Sequence, residues 1–424
     1  MIGNLTMKGM SSLKRHFERY AAAVLFFTMP LQAQAGNVEV TALFRPDPTN
    51  PMVNRFTNTT PSSGYCAHFW AHCQANNLFS LELPLGPFPM TTGQAVPANH
   101  TDPRRGAYLK VPSEWRRLAV KNEKGDEADL EIRISGVGGR ADHGGDVVKL
   151  TGGGTYENLW STGRWHRAPA PCVSGGGLNG TSFYVVFMWM VPENAGACAT
   201  TALFDLPRFE YRYLFFGYEL RTPNPLQMSA GIYRGSMTYT VGPGLDFDIG
   251  DAVRPHDSLA TIDFVLGVEH ALKIDLPPGG NRIELVPQGG WQAWLQRNRR
   301  PERLFRDQTF NLSSSTRFKM KLECQYSNGD NTCALYEPAS GHGVPLNLAV
   351  TFPAGITDGA GQPINRRPLF RDGTGTELFE SGFYVDRKPA TLHFEIDRET
   401  VEQMLTGPGK TYAGNVTVIW DSEV

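Results

Sequence analysis

Two short stretches of the chain carry residue types that could hold a metal ion. The first, "YCAHFWAHC", places Cys66, His68, His72 and Cys73 close together, and all four are types that bind zinc. Their spacing matches no standard zinc finger or ribbon, and the adjacent His72 and Cys73 would strain to reach one ion from one short loop. We therefore expect a disulfide loop here and no metal site.

Carboxylates gather in the second stretch, "DFDIGD", which contains Asp246, Asp248 and Asp251. Carboxylates bind calcium, but no calcium-loop motif surrounds these three, so a solvated strand end is the favoured interpretation. Asp246 and Asp248 would also be the acid/base pair of a secreted β-sandwich enzyme that acts on carbohydrates. The sequence has no G-x-S-x-G, H-E-x-x-H or P-loop motif. We expect a protein that is not an enzyme and needs no cofactor, with the carbohydrate-active enzyme as the alternative.

Arginine and aromatic residues mark the stretches that could bind a receptor, because guanidinium groups grip carboxylates and aromatic rings stack on sugars. One such stretch is the Gly/Pro-bounded "LWSTGRWHRAPAP", and two more arginines lie near strand-like segments. The candidate receptor-binding residues are Trp160, Arg164, Trp165, Arg167, Arg221 and Arg234. The alternative is that the tryptophans pack in a core and that the arginines are solvated strand ends.

The composition indicates many short strands and gives no electrostatic reason to bind nucleic acid. The chain has 424 residues, a formal net charge of -2 and a pI near 6.6. At 41% hydrophobic residues it is long enough for two domains with cores of their own. Gly 45, Pro 30 and 11% aromatic residues favour strands joined by frequent turns.

The first 35 residues have the pattern of a signal peptide. Basic residues up to Arg19 precede an apolar run from Ala21 to Leu31, and "AQA" then supplies the small residues of a cleavage site. The run is short of the roughly 20 residues that span a bilayer. We predict export, with residues 1–35 removed and Gly36 at the start of the mature chain.

Export makes disulfides the expected state of the cysteines. The six cysteines fall into three local pairs, which are Cys66 with Cys73, Cys172 with Cys198, and Cys324 with Cys333. We predict these three disulfides, although the sequence alone leaves about 15 connectivities open for six cysteines.

Period-two alternation of apolar residues recurs along the chain and predicts strands. The segments are "NVEVTALF" (37–44), "ADLEIRISGV" (128–137), "RFEYRYLFF" (208–216), "RFKMKLECQY" (317–326), "VPLNLAVTF" (344–352) and "ATLHFEI" (390–396). Gly-rich clusters such as "SGVGGRADHGGD" are expected to be turns, and only "DRETVEQML" (397–405) is expected to be helical. The pattern predicts an all-β protein built of β-sandwiches.

The final strand-like segment, "TYAGNVTVIW", has a twin earlier in the chain. Alternation places Tyr412, Gly414, Val416, Val418 and Trp420 on one face of the segment. The segment "IYRGSMTYTV" (232–241) repeats its plan, so each copy would close one domain. The Gly-, Pro- and Asp-rich residues 242–258 then have the composition of a linker.

These segments resemble chaperone-usher fimbrial subunits, in particular two-domain tip adhesins of the alpha-fimbrial, colonisation-factor type. The resemblance rests on the signal peptide, "YAGNVTVIWDSEV", "YRGSMTYTV", "ALKIDLPPGG" (271–280) and "FKMKLECQYSNG". It implies two tandem immunoglobulin-like β-sandwiches: an N-terminal adhesin domain, residues 36–256, and a C-terminal pilin domain, residues 257–424. The first would bind a surface receptor, and the second would anchor the chain in the pilus.

The resemblance also implies what the final strand pairs with. Pilin domains of this family lack their seventh strand, so the five alternate residues of "TYAGNVTVIW" would border an open groove. A periplasmic chaperone lends a strand to that groove, and the extension of a neighbouring pilin subunit replaces it in the fibre. The implied partners are this chaperone, the outer-membrane usher, the neighbouring subunit and a glycan or protein receptor. The implied path leads through the periplasm to the pilus tip on the cell surface.

Two further expectations follow from the resemblance. Arg221 ends a strand at a position where similar adhesins carry basic residues implicated in receptor binding. The N-terminal "GNVEVTALF" is either a structural first strand, as in a tip subunit, or a donor strand, as in an internal structural pilin without receptor affinity. An ordinary terminal strand in a completed sheet remains the alternative for "TYAGNVTVIW".

Overall fold

The computed structural model describes residues 37–177, 179–297, 300–329, 331–406 and 409–422. The predicted signal peptide, residues 1–35, lies outside the described residues. Within the described ranges, no helix has the length and apolar character needed to cross a membrane.

The chain forms one hydrophobic core from residues 37–268, the first unit, and a second core from residues 272–422, the second unit. The strands of the first unit are β1 (Asn37–Phe44), β2 (Thr57–Asn58), β3 (Ser80–Glu82), β4 (Thr91–Val96), β5 (Ala107–Leu109), β6 (Arg116–Lys121), β7 (Glu127–Asp142), β8 (Val173–Ser174), β9 (Asn179–Gly180), β10 (Tyr184–Met190), β11 (Cys198–Thr200), β12 (Leu206–Arg221), β13 (Gly231–Thr240), β14 (Val253–Pro255) and β15 (Leu259–Val268).

A single large sheet organises the first unit. Its strands follow the order β14-β4-β12-β7-β6-β13-β15-β1-β2, and β10 and β3 pair with β7 and β12 beside this path. Strands β5 and β11 form a separate pair. The sheet buries one face around an aromatic core in which Trp160, Trp165 and Trp189 are at most 1% exposed.

The second unit contains a larger sheet and two strand pairs. Its strands are β16 (Leu272–Asp275), β17 (Val286–Pro287), β18 (Leu304–Ser314), β19 (Lys319–Cys324), β20 (Cys333–Glu337), β21 (His342–Thr351), β22 (Ile356–Asp358), β23 (Arg367–Leu369), β24 (Phe379–Ser381), β25 (Val385–Ile396) and β26 (Val416–Asp421). The larger sheet follows the order β16-β18-β25-β21-β20, with β17 on β18 and β23 on β21. Strands β19 and β26 pair with each other, as do β22 and β24.

Helices are short and lie between strands. They are α1 (Tyr65–His68), α2 (Trp70–Ala75), α3 (Val147–Leu150), α4 (Tyr156–Leu159), α5 (Gly290–Arg297) and α6 (Arg398–Met404), with 3-10 turns at Pro103–Arg105 and Pro225–Gln227. The Asp397 carboxylate accepts a hydrogen bond from the Thr400 N–H and so caps α6, as the sequence predicts for 397–405. The all-β class is confirmed, because strands form both cores.

Two local predictions are wrong for physical reasons. The Gly-rich "SGVGGRADHGGD" is not a turn at its start, because β7 runs through it to Asp142. A Cβ on Gly138 would lie 2.2 Å from the Phe187 carbonyl oxygen, and one on Gly139 would lie 2.3 Å from that of Tyr213. These glycines therefore allow neighbouring strands to approach β7 closely.

The expected linker, residues 242–258, is instead part of the first core. Phe247, Ile249 and Val253 are buried there, and β14 pairs with β4. The sheet also continues beyond residue 256, since β15 lies between β13 and β1. The many acidic and glycine residues of this segment are typical of a linker. The apolar residues between them are buried, however, and they attach the segment to the core.

Candidate functional site

The last strand, β26, is paired along one edge. It runs antiparallel to β19, and just before it the backbones of Ala413 and Asn415 bond to Tyr336 and Gln325. In an antiparallel strand, alternate residues direct their peptide groups to opposite edges. Gly414, Val416 and the alternate residues after them therefore direct their N–H and C=O groups to the other edge, where no strand lies within the described part of the chain.

The inward face of β26 is incompletely buried. Tyr412, Val416, Val418 and Trp420 pack against the second core, yet all four remain partly exposed. Trp420 contacts core rings, with centroids 5.4 Å from Phe310 and 5.8 Å from Phe318. The five residues predicted to share one face thus do so, with partly buried Gly414 in the same row.

A second incomplete edge lies on the other sheet of the same unit. Strand β16 is the end strand, hydrogen-bonded to β18 alone among the described strands. Its Leu272 and Ile274 pack against the second core and are only partly buried. The second unit therefore has two unpaired edges that carry half-buried apolar side chains, a combination that a globular sheet usually covers.

The twin strand β13 has the opposite environment. It pairs with β15 over ten residues on one edge and meets β6 at Arg234 and Lys121 on the other. Strand β15 in turn runs parallel to β1, and its alternate residues from Ala260 to Val268 are buried. The first copy is therefore paired within its own unit on both edges.

The glycines of the two copies have similar surroundings. A Cβ on Gly235 would lie 2.7 Å from the Ala119 carbonyl oxygen, and one on Gly414 would lie 3.1 Å from the Ala334 carbonyl oxygen. Both glycines therefore lie where backbone from another strand approaches closely. This correspondence supports comparing β13 with β26 residue by residue.

The "DFDIGD" carboxylates are neutralised by arginines. The Arg104 guanidinium donates to both Asp248 oxygens, at 2.7 and 3.0 Å, and also pairs with Asp251 at 3.0 Å. Burial acts to raise the pKa of Asp248, but the hydrogen bonds from Arg104 and the backbone outweigh it, and the pKa is lowered. For Asp246, burial is likewise outweighed by hydrogen bonds from Thr240 and Arg116, which lower the pKa.

This pairing bears on two expectations. A glycosidase acid needs a raised pKa, whereas both candidate carboxyls have lowered ones, so the arrangement does not suit an acid/base pair. Groups of His, Cys, Asp and Glu that could hold a metal ion are absent from the described residues.

The two candidate tryptophans are not available to a receptor, which corrects the expectation for both. Trp160 is 1% exposed and Trp165 is fully buried, with ring centroids 5.2 Å apart. Trp165 also contacts Trp189 and Phe187. Their size and aromatic character made them candidates, but the same properties make them the centre of the first core.

The neighbouring arginines are exposed and far less constrained. Arg164 pairs with Glu157 at 3.1 Å, and Arg167 lies on the surface of the same loop. Arg234 is exposed on β13. Because both tryptophans are buried, this loop has no exposed tryptophan beside its arginines, and that combination was the reason to expect receptor binding there.

Arg221 takes part in a cross-strand ladder of charges. It pairs with Glu131 at 3.4 Å and stacks on Trp115, with 3.9 Å between the guanidinium carbon and the ring centroid. Arg133, on the next strand, pairs with Glu219 at 2.6 Å. Arg221 and Arg234 do not form one cluster, because β7 and β6 lie between their strands.

The three disulfides join the predicted pairs, Cys66–Cys73, Cys172–Cys198 and Cys324–Cys333. The first links α1 to α2 and excludes a zinc site at these cysteines. The His72 Nε2 atom lies 2.7 Å from the Gly175 carbonyl oxygen, so this histidine fixes a loop.

Sequence reasoning missed a group of arginines and aromatic residues beside the end of β7, the start of β10 and the middle of β12. Its members are Phe88, Arg140, Tyr184, Arg212 and Tyr213. The alternation in "RFEYRYLFF" contains part of the signal, but Arg140 lies in the Gly-rich stretch that was read as a turn. Only the pairing of three strands brings these residues together.

Comparisons with known proteins return structures alone. No family model matches the chain, and no curated protein matches it significantly. A structure described as a chaperone–tip adhesin complex of CFA/I fimbriae has 12% identity, with 93% of this chain and 99% of that chain covered and a TM-score of 0.23.

Two more solved structures give similar values. CfaE, the adhesive subunit of the CFA/I fimbria of enterotoxigenic Escherichia coli, has 12% identity, 91% and 92% coverage, and a TM-score of 0.22. The CsuC–CsuE chaperone–tip adhesion subunit complex from archaic chaperone-usher pili of Acinetobacter baumannii has 9% identity, 91% and 98% coverage, and a TM-score of 0.23. Because these TM-scores are below 0.5, we rest nothing further on them. These three structures are described as a fimbrial adhesive subunit and two complexes of a chaperone with a tip subunit.

Proposed function

We propose that the chain is an exported fimbrial tip adhesin whose second unit accepts a donor strand from a neighbouring pilin subunit. One observation carries this proposal: β13 is completed by β15, whereas its twin β26 has no strand on the corresponding edge among the described residues. Along that edge, half-buried apolar side chains accompany unpaired peptide groups. A strand that adds to such an edge gains backbone hydrogen bonds and fills side-chain pockets.

The first unit supplies a template for the missing strand. Strand β15 is antiparallel to β13 and parallel to β1, so it completes the sheet between the two. In the second unit, β26 corresponds to β13 and β16 to β1. The donor would therefore lie between β16 and β26, antiparallel to β26.

The register of β15 predicts which donor residues meet which pockets. Tyr233, Gly235, Met237 and Tyr239 face Leu266, Phe264, Ile262 and Ala260. The corresponding residues of the second unit are Tyr412, Gly414, Val416 and Val418. A donor with a small residue, a β-branched residue, an aromatic residue and a leucine at alternate positions would match them, with the aromatic side chain over Gly414.

The N-terminal strand supports a tip position. Residues of β1 pair with β15 along its whole length, and Val40 and Phe44 are at most 1% exposed. A strand buried in its own unit is not free to complement another subunit. This arrangement favours the structural first strand over a donor strand, and hence the tip subunit over an internal pilin.

We place the adhesin domain at residues 36–268 and the pilin domain at residues 272–424. This division moves the expected boundary past β15, because β15 lies in the first core. The periplasmic chaperone would protect the open edge before assembly, and the usher would exchange it for the neighbouring pilin. The first domain then remains exposed at the fibre tip and binds the receptor.

Strand addition is tested by supplying a donor in cis. The mature chain, residues 36–424, is produced in an oxidising periplasm with a flexible linker and the peptide LATIDFVLGV at its C-terminus. We expect more soluble monomer and a higher melting temperature than for the chain alone. The matched control carries threonine at the five inward-facing positions of the same peptide, which keeps length and β-propensity.

The two outcomes separate the alternatives. If only the apolar donor stabilises the protein, β26 borders a missing strand. If the unmodified chain is as soluble and as stable as the fusion, the sheet is already complete and the proposal is rejected. Glycan turnover that is lost in Asp248→Asn would instead favour the carbohydrate-active enzyme.

A further inference from the structure

A surface of the first unit combines stacked aromatic rings with guanidinium and carboxylate groups. It lies on the face of the sheet opposite the first core, where the end of β7 and the start of β10 meet the middle of β12. In the middle of it, Arg140 on β7 lies between Val186 and Tyr213 of the adjacent strands. The Arg140 guanidinium carbon is 3.7 Å from the centroid of the Tyr184 ring. We call Phe88, Arg140, Asp142, Tyr184, Arg212 and Tyr213 the aromatic–arginine patch.

The charges of the patch are arranged as donors and acceptors. The Arg140 guanidinium donates two hydrogen bonds to Asp142, at 2.7 and 3.0 Å. On β12, Arg208 pairs with Glu210 at 2.7 Å, and Glu82 lies opposite Phe215 beside the patch. Guanidinium donors and carboxylate acceptors are thus within one small area, as recognition of sugar hydroxyls requires.

Arg212 is the least satisfied of these arginines. Its Nη1 atom is 3.6 Å from the Asp142 carboxylate, and its side chain makes no hydrogen bond to another described residue. The Nε atom of Arg212 is buried and has no hydrogen-bond partner. The Phe88 ring stacks on the guanidinium group, with 4.6 Å between the ring centroid and the guanidinium carbon. A buried donor atom without an acceptor is uncommon in a native protein, and a bound ligand or water is one way to satisfy it.

The aromatic residues of the patch face solvent. Phe88 is 61% exposed, and Tyr184 and Tyr213 are partly exposed. A contiguous group of exposed apolar rings, unlike a single one, is typical of an interaction site. Beside the patch the same sheet face is covered by the α1–α2 hairpin, whose Tyr65 and Cys73 pack on Met188 and Phe215.

The other charged surface of this sheet differs in each respect. There Arg117 pairs with Asp129, Lys121 with Glu127 and Arg133 with Glu219, in each case across to the neighbouring strand. Such a ladder is explained by cross-strand pairing alone. In the patch, Arg140 pairs with Asp142 of its own strand, and Arg212 is left incompletely paired.

We propose that the aromatic–arginine patch binds an oligosaccharide, an inference that rests on the proposed receptor-binding function of the first unit. The apolar faces of the sugar rings would stack on Tyr184 and Phe88. Hydroxyl groups would donate to Asp142 and accept from the guanidinium group of Arg212, which swings out with Phe88 to receive them. A bound sugar then supplies the hydrogen-bond acceptor that Arg212 lacks in the free protein.

Binding is measured on the full mature chain fused to its donor peptide, against an immobilised panel of neutral oligosaccharides and oligosaccharides ending in a carboxylate sugar. We expect binding to members of the panel that falls at least tenfold in Tyr184→Ala and in Phe88→Ala. Both side chains are partly or largely exposed, so the variants should keep the parent melting temperature. Arg117→Ala, in the charge ladder of the same sheet, is the matched control and should bind as the parent does.

Arms of the panel distinguish the source of recognition. Preference for the carboxylate sugars would indicate that Arg212 binds the carboxylate of the sugar. Equal binding of neutral sugars would indicate that ring stacking and hydroxyl contacts provide recognition. Either result supports the proposal. Absence of binding to every member, or parent-like binding by both patch variants, would overturn it. A fusion that is stabilised by its donor but binds no glycan rejects the patch and leaves the assembly proposal standing. Glycan binding without donor-dependent stabilisation does the reverse.

Discussion

Single charged groups in the first unit are tied to the fold by named partners. Arg104 holds Asp248 and Asp251 together, and Asp248 is only 4% exposed. These carboxylates connect the segment after β13 to the 3-10 turn that contains Arg104. The residues that first suggested acid/base chemistry therefore have a clear structural role.

Replacing Asp248 tests that role. Asp248→Asn keeps the side-chain size but removes the charge that Arg104 pairs with in a largely buried place. We expect the free energy of unfolding to fall by about 2 kcal/mol, because a charge-assisted hydrogen bond is lost and Arg104 is left underpaired. Chemical denaturation measures it, with Asp129→Asn, in the exposed pair with Arg117, as the control. Equal losses in the two variants would refute the assigned role.

His143 predicts how stability depends on pH. Burial lowers the pKa of His143 from 6.5 to about 4. Its Nδ1 atom lies 2.9 Å from the Phe183 carbonyl oxygen, which can only accept, so Nδ1 carries the proton and Nε2 accepts from the Tyr156 hydroxyl at 3.1 Å. The unfolded state takes up a proton below pH 6.5 that the folded state does not accept until about pH 4.

The contribution of His143 to the free energy of unfolding is therefore at its full value above pH 6.5. It declines as the pH falls towards 4, by about 3 kcal/mol in total. In His143→Gln, which keeps an amide donor but does not titrate, we expect a flatter dependence across that window, with lower stability at neutral pH. Unfolding free energies at half-unit pH steps provide the measurement. A parent-like slope in the variant would contradict the role of His143.

Among elements, the comparison that matters is between two strands of similar sequence and different surroundings. Strand β13 is covered by β15. Strand β26 has one edge unpaired among the described strands, and the side chains of its apolar face are only partly buried. Hydrophobic stabilisation scales with apolar area removed from water. Equivalent truncations in the two units should consequently have unequal effects.

Phe264→Ala in β15 removes a fully buried ring, and we expect a loss of about 3–5 kcal/mol. Val418→Ala in β26 should cost about 1 kcal/mol or less in the free chain, because its side chain is only partly buried. In the donor fusion the cost of Val418→Ala should rise, since the donor completes its burial. Denaturation of the two variants with and without the donor tests this, and an unchanged cost for Val418→Ala would show that no strand covers it.

Alternation in the sequence predicted the existence of strands well and their ends less well. Strand β1 has the predicted bounds, 37–44, because its apolar residues alternate without interruption. Strands β7 and β12 are each longer than predicted, at 127–142 and 206–221. Glycines that allow close strand approach look like turn residues until the neighbouring strands are known.

Site residues divide in the same way. The inward face of β26 follows from spacing within one segment, so the sequence predicted its membership. Trp160 is buried, and the aromatic–arginine patch is assembled, by strands that are far apart in the chain. A pattern within one short segment therefore cannot predict either feature. The role of residues 242–258 was misread for this reason, since their buried contacts are with distant β4.

At the scale of the whole molecule, the account describes one unit that is complete and one that is not. The first core contains its own first and last strands, β1 and β15, whereas β26 of the second pairs with β19 alone among the described strands. We expect calorimetry to resolve two transitions, of which only the lower, assigned to the second unit, moves upward in the donor fusion. Movement of both transitions together, or of neither, would contradict this division.

The most direct test of the open edge is amide hydrogen exchange in β26, on the dilute mature chain with and without the donor peptide. The account predicts that the amides of Gly414, Val416, Val418 and Trp420 exchange fast in the chain alone, while those of the alternating Thr417 and Ile419 are protected by β19. Adding the donor should protect the first four as well. Protection of all these amides without a donor would mean that the edge is already paired, and it would contradict the account.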